Sequence, residues 1–88
     1  MEIRYLRQAL KDVNKIKNKK LKSKLYDIIT HLKLAENLSE IKNVKTMSNH
    51  PEAYRIRVGD YRLGIFYSKD TITIARFLQR SDIYNVFP

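Results

Sequence analysis

One ten-residue stretch restricts the possible folds of this chain more than any other, because it has the pattern of a tight β-hairpin. Residues 54–63, with the sequence YRIRVGDYRL, alternate apolar and cationic side chains on both sides of Gly59 and Asp60. A two-residue loop with glycine at its first position suits a type II′ turn, which matches the twist of paired strands. The stretch therefore predicts two antiparallel strands joined at Gly59 and Asp60.

The register that this turn imposes divides the hairpin into an apolar face and a cationic face. Arg57 lies opposite Arg62 and Arg55 lies opposite Gly64, so three arginines share one face. The other face receives Tyr54, Ile56, Val58, Tyr61, Leu63 and Ile65. Two cations directly opposite each other on a sheet repel at a cost of about 0.2–1 kcal/mol, so we infer that the cationic face binds an anion. Phosphate is the anion that suits a planar, multi-donor arginine cluster.

Length and composition are those of one small cytosolic domain. The 88 residues are enough for a single domain, residues 1–88, and the 43% that are hydrophobic are enough for a globular core. The chain has no cysteine, whereas small secreted domains usually depend on disulfides. No apolar run approaches the roughly 20 residues that span a bilayer, and the first residues lack the apolar segment of a signal peptide. We therefore expect a cytoplasmic protein without a membrane anchor.

Positive charge is unevenly distributed along the chain. Eighteen Lys and Arg against nine Asp and Glu give a formal net charge of +9, which suits nucleic acid or an acidic protein partner. Lysines concentrate in the first half of the chain and arginines in the second. The densest group of lysines comprises Lys15, Lys17, Lys19, Lys20, Lys22 and Lys24. This group is either a patch that follows a phosphate backbone or the solvated tip of a helical hairpin.

The order of the apolar patterns predicts an α+β fold. The segments are a strand at residues 2–6, helices at residues 8–16 and 21–35, a short extended segment at residues 44–47, the hairpin, and a strand at residues 71–78. Asn37 would stop the second helix, and Ser81 or Asp82 would cap a short helical turn. The expected fold is an N-terminal strand, a two-helix antiparallel hairpin and a three-stranded antiparallel meander, with the helices packed on one face of a twisted sheet. The N-terminal strand would join this sheet at an edge or between meander strands.

The reactive side chains of this sequence are compatible with only a few types of catalysed reaction. The sequence has no Ser or Cys nucleophile beside a base, no cluster of metal ligands and no glycine-rich phosphate loop, so no metal or other cofactor is expected. The arginine face with Arg80 and Tyr84 suits cleavage of RNA by its own 2′-hydroxyl, which needs cations and groups that move two protons. Tyr84 can accept the 2′ proton if nearby cations lower its pKa from about 10. His50 and Asp82 are the other candidate bases.

These residues also resemble a known family. The hairpin of residues 54–63, preceded by Asn49-His50-Pro51 and followed by residues 80–84, is similar to that of the RelE/ParE superfamily of bacterial and archaeal toxins. The order of elements fits this superfamily along nearly the whole chain. The resemblance implies the toxin of a type II toxin–antitoxin system, held inactive by an antitoxin that is short and acidic where it covers the arginine face. RelE-like members cut mRNA in the ribosomal A site, whereas ParE-like members inhibit DNA gyrase.

Carried over residue by residue, the RelE-type pattern implies catalytic roles for Arg55, Arg57, Arg62, Arg80 and Tyr84. In the best-known RelE-type pattern the positions of Arg55 and Arg57 hold lysines, one of which is the proposed base. Arginine keeps its proton, so phosphate binding survives this change while the identity of the base stays open. We favour a metal-independent, ribosome-dependent mRNA endoribonuclease. The alternatives are a ParE-like gyrase inhibitor and a non-toxic module that binds an antitoxin or nucleic acid.

Structural roles are the alternative for several of these side chains. Arg57 and Arg62 could be neutralised by a carboxylate, and the candidates are Glu52, Asp60 and Asp82. Tyr84 could pack its ring on the sheet beside its apolar neighbours. Phe66 shares the arginine face and is therefore the aromatic side chain best placed to stack on a base.

Overall fold

The computed structural model describes all 88 residues and shows a five-stranded sheet with helices on both faces. The elements are β1 (Glu2–Tyr5), α1 (Arg7–Asn14), α2 (Lys19–Leu34), a 3₁₀ turn (Leu38–Glu40), β2 (Val44–Met47), β3 (His50–Val58), β4 (Tyr61–Ser68), β5 (Thr71–Gln79) and α3 (Arg80–Val86). The strand order across the sheet is β1-β5-β4-β3-β2. The predicted α+β class is confirmed. None of the helices has the length and apolar character needed to cross a membrane.

The antiparallel part of the sheet has four strands, one more than the sequence predicted. Each of β2, β3, β4 and β5 pairs antiparallel with the next, so the short extended segment at Val44–Met47 is a full member of the sheet. Four residues without apolar alternation carry no signal for a pairing partner, which is why the predicted meander stopped at three strands. β1 runs parallel to β5 at the edge of the sheet, one of the two positions expected.

The predicted register of the hairpin between β3 and β4 is confirmed. Arg57 pairs with Arg62 and Arg55 pairs with Gly64. Gly59 has a φ of +60°, whereas Asp60 is not among the residues with positive φ, as a type II′ turn requires. The apolar face is buried and the arginines lie on the opposite face, so a two-residue turn fixes which side chains leave the core.

Helices α1 and α2 cover one face of the sheet and form the main core with it. The fully buried side chains of this core include Ala9, Leu25, Leu32, Ile56, Leu63, Ile65, Ile72, Ile74 and Phe77. The helical residues come from the two predicted apolar stripes, and the strand residues come from the apolar face of the hairpin and from β5. Burial of these large side chains, at about 1.5–3 kcal/mol each, is the main force that holds the helices on the sheet.

Both ends of α2 differ from the predicted ends, and an asparagine side chain sets its start. α2 begins at Lys19, since the side-chain oxygen of Asn18 accepts the backbone N–H groups two and three residues later, at 3.0 and 3.1 Å. The helix ends at Leu34. Asn37 does not stop α2; its side chain instead accepts from the backbone N–H of Ser39 at 3.0 Å and begins the 3₁₀ turn.

Helix α3 covers part of the second face of the sheet, whereas the two helices of the predicted hairpin, α1 and α2, pack together on the first face as expected. The helix begins at Arg80 without a side-chain cap, and the predicted cap at Ser81 or Asp82 is therefore wrong. Its start is tied to the hairpin turn instead, because the backbone N–H of Arg80 donates to the carbonyl oxygen of Asp60 at 3.0 Å. A second, smaller core under this helix contains Ala53, Ala75, Ile83 and Phe87.

The ring of Phe87 fills the space beside Gly64 in β4. The rings of Phe87 and Phe66 lie 5.2 Å apart, so the partly buried Phe66 packs against the second core. Stacking of Phe66 on a base stays a prediction. A Cβ atom built on Gly64 would lie 2.8 Å from ring atoms of Phe87, closer than carbon atoms approach each other. Glycine at this position therefore lets α3 pack directly on the sheet.

We expect Gly64→Ala to lower the free energy of unfolding by about 1–3 kcal/mol, because the added methyl group displaces the ring of Phe87. Urea unfolding of the wild type and the variant measures this difference. The double variant Gly64→Ala with Phe87→Leu should recover part of the loss, since the smaller side chain leaves room for the methyl group. An unchanged unfolding midpoint for Gly64→Ala would contradict the close packing of α3.

A buried ion pair joins α1 to a bulge in β5. Ala75 has no partner in the register between β4 and β5, and the bulge it forms leaves the next residues free to bond elsewhere. Asp12 is only 3% exposed. Its carboxylate accepts hydrogen bonds from Arg76 Nε at 2.8 Å, from Arg76 Nη2 at 3.1 Å and from the backbone N–H of Phe77 at 3.0 Å. One carboxylate therefore satisfies three donors and fixes α1 against the sheet.

Candidate functional site

The cationic face of the hairpin forms the floor of an open groove of about 730 Å³. The charged and phenolic side chains that line the groove are Lys45, Arg55, Arg57, Asp60, Arg62, Arg80 and Tyr84. All five residues for which the sequence implied catalytic roles are thus brought together in one place. The groove has five cations and one carboxylate, which makes it strongly attractive to a polyanion.

The hairpin of β3 and β4, together with α3, positions the four arginines and Tyr84. Arg55 and Arg57 project from β3 and Arg62 from β4, on the face opposite the main core. Arg80 and Tyr84 are four residues apart on α3, so they lie on the same side of this helix. The hairpin and α3 meet at the turn, where the backbone of Arg80 bonds to that of Asp60. The groove is therefore closed on one side by α3 and open along the sheet.

Tyr84 lies among the arginines and not in the second core. Arg80 Nε donates to the phenolic oxygen of Tyr84 at 3.0 Å, and Arg55 Cζ lies 4.3 Å from the centre of its ring. The side chain is 50% exposed, so the alternative that it packs on the sheet with its apolar neighbours does not hold. The hydrogen bond from Arg80 lowers the pKa of Tyr84; partial burial opposes this, and the charges of Arg80, Arg55 and Arg62 lower it further.

We expect Arg80→Met to raise the pKa of Tyr84 back toward the ordinary value of about 10, because the variant removes the largest cause of its lowering. The phenolate absorbs near 295 nm, and subtracting the titration of the matching Tyr84→Phe protein isolates this one tyrosine. Lys17→Met, which removes a cation far along the sequence and outside the groove lining, should leave the titration unchanged. Equal midpoints for Arg80→Met and the wild type would contradict the assigned hydrogen bond.

The arginines of the hairpin have no carboxylate partner. Arg62 Nη1 donates to the carbonyl oxygens of Gly59 and Tyr61, each at 2.9 Å, so this side chain also holds the turn. The ion pairs of the chain are those of Arg4 with Glu2 and of Arg76 with Asp12. Neutralisation of the hairpin arginines by Glu52, Asp60 or Asp82 is thus not observed. Their charge remains available to an external anion.

Several residues singled out from the sequence lie outside the groove lining. His50 is the first residue of β3, at the end of the strand farthest from the turn, and Asp82 is exposed in the first turn of α3. The six lysines of residues 15–24 lie at the end of α1, in the link and in the first turns of α2. No three His, Asp or Glu side chains lie close enough together to hold a metal ion.

Lys45 and Asn43 also line the groove, although neither was predicted to belong to a functional site. Lys45 lies on β2, directly opposite Arg55 of β3. Asn43 precedes β2, has a φ of +63°, and its carbonyl oxygen accepts the backbone N–H of Arg57 at 3.1 Å. The apolar residues Val44 and Met47 were the only signal of this strand, and they gave no indication of its register.

The sequence matches a known protein family over nearly its whole length. Residues 3–84 match the family described as the ParE toxin of the type II toxin–antitoxin system, parDE. The chain is also 32% identical over 89 residues to the toxin RelE3 of Methanocaldococcus jannaschii, an alignment that covers 100% of each chain. These matches define the class of the protein as a toxin of a type II toxin–antitoxin system.

Solved structures have the same fold. A chain of the RelB–RelE antitoxin–toxin complex from Methanococcus jannaschii superposes with a TM-score of 0.82 at 29% identity, covering 97% of this chain and 99% of that chain. The YoeB dimer from Staphylococcus aureus gives a TM-score of 0.75 at 21% identity, covering 91% and 97%, a likeness that concerns the fold alone. The chain belongs to the RelE/ParE superfamily.

Proposed function

We propose that this toxin is a metal-independent endoribonuclease that cuts mRNA on the ribosome by activating the RNA 2′-hydroxyl. The observation that carries this proposal is the position of Tyr84, held by Arg80 and covered by Arg55 inside a groove of uncompensated cations. A tyrosine whose pKa is lowered by neighbouring arginines is suited to accept a proton next to a phosphate.

The arginines would bind the scissile phosphate and stabilise the transition state. Attack by the 2′-oxygen gives the phosphorane two negative charges, and guanidinium donors placed where this charge develops lower the barrier. Arg55, Arg57 and Arg62 project from the same face of the sheet and can contact one phosphate and its neighbour. Arg62 Nη1 donates to two carbonyl oxygens of the turn, which holds the guanidinium in a fixed orientation. Its positive charge is therefore in place before the phosphate binds.

Tyr84 would act as the general base. Its phenolate takes the proton of the 2′-hydroxyl, the 2′-oxygen attacks phosphorus, and the bond to the 5′-oxygen breaks. The products are a 2′,3′-cyclic phosphate and a 5′-oxygen, which takes up a proton from a general acid to become a 5′-hydroxyl. Arg80 favours the phenolate through its hydrogen bond, whereas arginine itself keeps its proton and cannot serve. His50 and Asp82 are weaker candidates for this role, because neither lines the groove.

The lysines outside the groove would help to bind the RNA backbone. The six lysines of residues 15–24 are at the surface of the helices, where they can follow a phosphate backbone without reading its sequence. We also propose a cognate antitoxin that is short and acidic where it covers the groove. The relative RelE from Methanococcus jannaschii forms a complex with the antitoxin RelB, and the five groove cations favour an acidic cover.

Inhibition of DNA gyrase without catalysis is the second candidate function. It is favoured by the match of residues 3–84 to the family described as the ParE toxin. In this case the groove would bind an acidic surface or DNA, and Tyr84 would have no role as a base. The third candidate, a non-toxic binding module, requires that expression of the chain leaves growth unaffected.

Two parallel assays distinguish these functions. Purified toxin is added to ribosomes that carry a defined mRNA, and cleavage is followed by primer extension. The same preparation is tested for inhibition of gyrase supercoiling, with Tyr84→Phe alongside. Endoribonuclease function predicts cuts in the ribosome-bound mRNA that Tyr84→Phe loses. Intact mRNA together with supercoiling inhibition that survives Tyr84→Phe would overturn the proposal in favour of a gyrase inhibitor.

A further inference from the structure

Lys45 is a cationic side chain of the groove that comes from neither the hairpin nor α3. It lies in β2, the edge strand of the sheet, and is exposed. It is paired directly with Arg55 across the sheet, a position at which Cβ atoms are about 4.5–5.5 Å apart. The two side chains therefore lie side by side on the same face of the sheet, and both line the groove.

Few groups in the groove can release a proton to a leaving oxygen. The four arginines keep their protons, and Asp60 lies in the hairpin turn, several residues along the strand from Arg55. Tyr84 is occupied as the base in the mechanism above. The ammonium of Lys45 is the remaining donor, and lysine, unlike arginine, exchanges its proton in many active sites.

Lys45 and Tyr84 lie on opposite sides of Arg55. Tyr84 reaches Arg55 from α3, which packs over β4 and β5, whereas Lys45 reaches it from β2 on the other side of β3. In an in-line displacement, the attacking and leaving oxygens lie on opposite sides of phosphorus. A phosphate bound at Arg55 would therefore present one of these oxygens to Tyr84 and the other to Lys45.

We propose that Lys45 is the general acid that protonates the leaving 5′-oxygen. The step rests on the proposed endoribonuclease function. As the bond between phosphorus and the 5′-oxygen breaks, one proton passes from the ammonium of Lys45 to that oxygen, which becomes a 5′-hydroxyl. The proton removed from the 2′-hydroxyl resides on Tyr84, and exchange with solvent restores both side chains.

A change of leaving group tests this assignment. Ribosome-bound mRNA is prepared with a normal scissile phosphate or with sulfur in place of the bridging 5′-oxygen, because a thiolate leaves without being protonated. Single-turnover rates are measured for the wild type and for Lys45→Arg, which keeps the charge but cannot donate the proton. Lys45→Arg should be slower by about 100-fold on the oxygen substrate, the lower end of the range for general acid catalysis, and close to the wild-type rate on the sulfur substrate.

Two matched variants complete the experiment. Tyr84→Phe should slow both substrates, since each needs the base, and Lys42→Arg, just before β2 and outside the groove lining, should change neither. If Lys45→Arg slows cleavage of both substrates equally, Lys45 binds phosphate and is not the general acid. If Lys45→Arg cuts both substrates at the wild-type rate, Lys45 has no role in the reaction. A wild-type protein that cuts neither substrate overturns the endoribonuclease function itself.

Discussion

Arg55→Ala is expected to slow the cleavage of ribosome-bound mRNA by about 10²–10³-fold, the usual effect of removing one preorganised donor to a charged transition state. Arg55 is at the centre of the site, because it lies over the ring of Tyr84 and opposite Lys45. The variant removes a positive charge that would stabilise the phosphate in the transition state. It also removes one of the charges that lower the pKa of Tyr84. Single-turnover cleavage at saturating toxin measures the chemical step separately from binding.

The control for Arg55→Ala must remove an equivalent charge elsewhere. Arg4 is an exposed arginine on β1 at the far edge of the sheet, and Arg4→Ala should leave the rate unchanged. The double variant Arg55→Ala with Tyr84→Phe should lower the cleavage rate by less than the product of the two single reductions, since the two side chains act together. An Arg55→Ala protein that cuts at the wild-type rate would remove Arg55 from the mechanism.

Asp12→Ala is expected to lower the free energy of unfolding by about 3 kcal/mol, near the lower end of the range for breaking a buried ion pair. The lower end applies because the Arg76 side chain is 22% exposed and keeps some contact with water. The variant leaves this guanidinium and the backbone N–H of Phe77 without their common acceptor. Urea unfolding should show a lower midpoint with an unchanged slope.

Two comparison variants isolate the ion pair. Asp27→Ala removes an exposed carboxylate of α2 and should change stability by less than about 0.5 kcal/mol. Replacing both partners, as Asp12→Leu with Arg76→Met, should be more stable than Asp12→Ala, because no buried charge is left alone. If Asp12→Ala is no less stable than Asp27→Ala, the ion pair does not hold α1 on the sheet.

The hairpin and its cationic face could be predicted because their information is local. Gly59 and Asp60 define a turn, the turn defines the register, and the side-chain period of two then places each arginine. Apolar spacing likewise identified α1 and α2, although the start of α2 is set by the side-chain cap of Asn18. The residue types of Arg80 and Tyr84 suggested that they act with the arginine face, and the resemblance to the toxin family implied their roles. That α3 lies beside the hairpin could not be predicted from local pattern, because it depends on contacts between distant parts of the chain.

The features that could not be predicted depend on contacts between distant parts of the chain. β2 is four residues long, and its pairing includes a shift between Thr46 and Met47, so its sequence could not place Lys45 opposite Arg55. Asp12 meets Arg76 across 64 positions in the sequence, at a bulge that no pattern indicated. The start of α3 relies on a backbone hydrogen bond to the turn where a capping side chain was expected.

The most direct test of the central claim is whether the RNA itself supplies the nucleophile. A ribosome-bound mRNA is made with a single 2′-deoxynucleotide on the 5′ side of the mapped cut, and its cleavage by the wild-type toxin is compared with that of the all-ribose mRNA. The mechanism predicts that the all-ribose mRNA yields a 2′,3′-cyclic phosphate and a 5′-hydroxyl, and that the deoxy substitution abolishes the cut at that position. Continued cleavage of the deoxy mRNA at the same position would contradict attack by the 2′-hydroxyl.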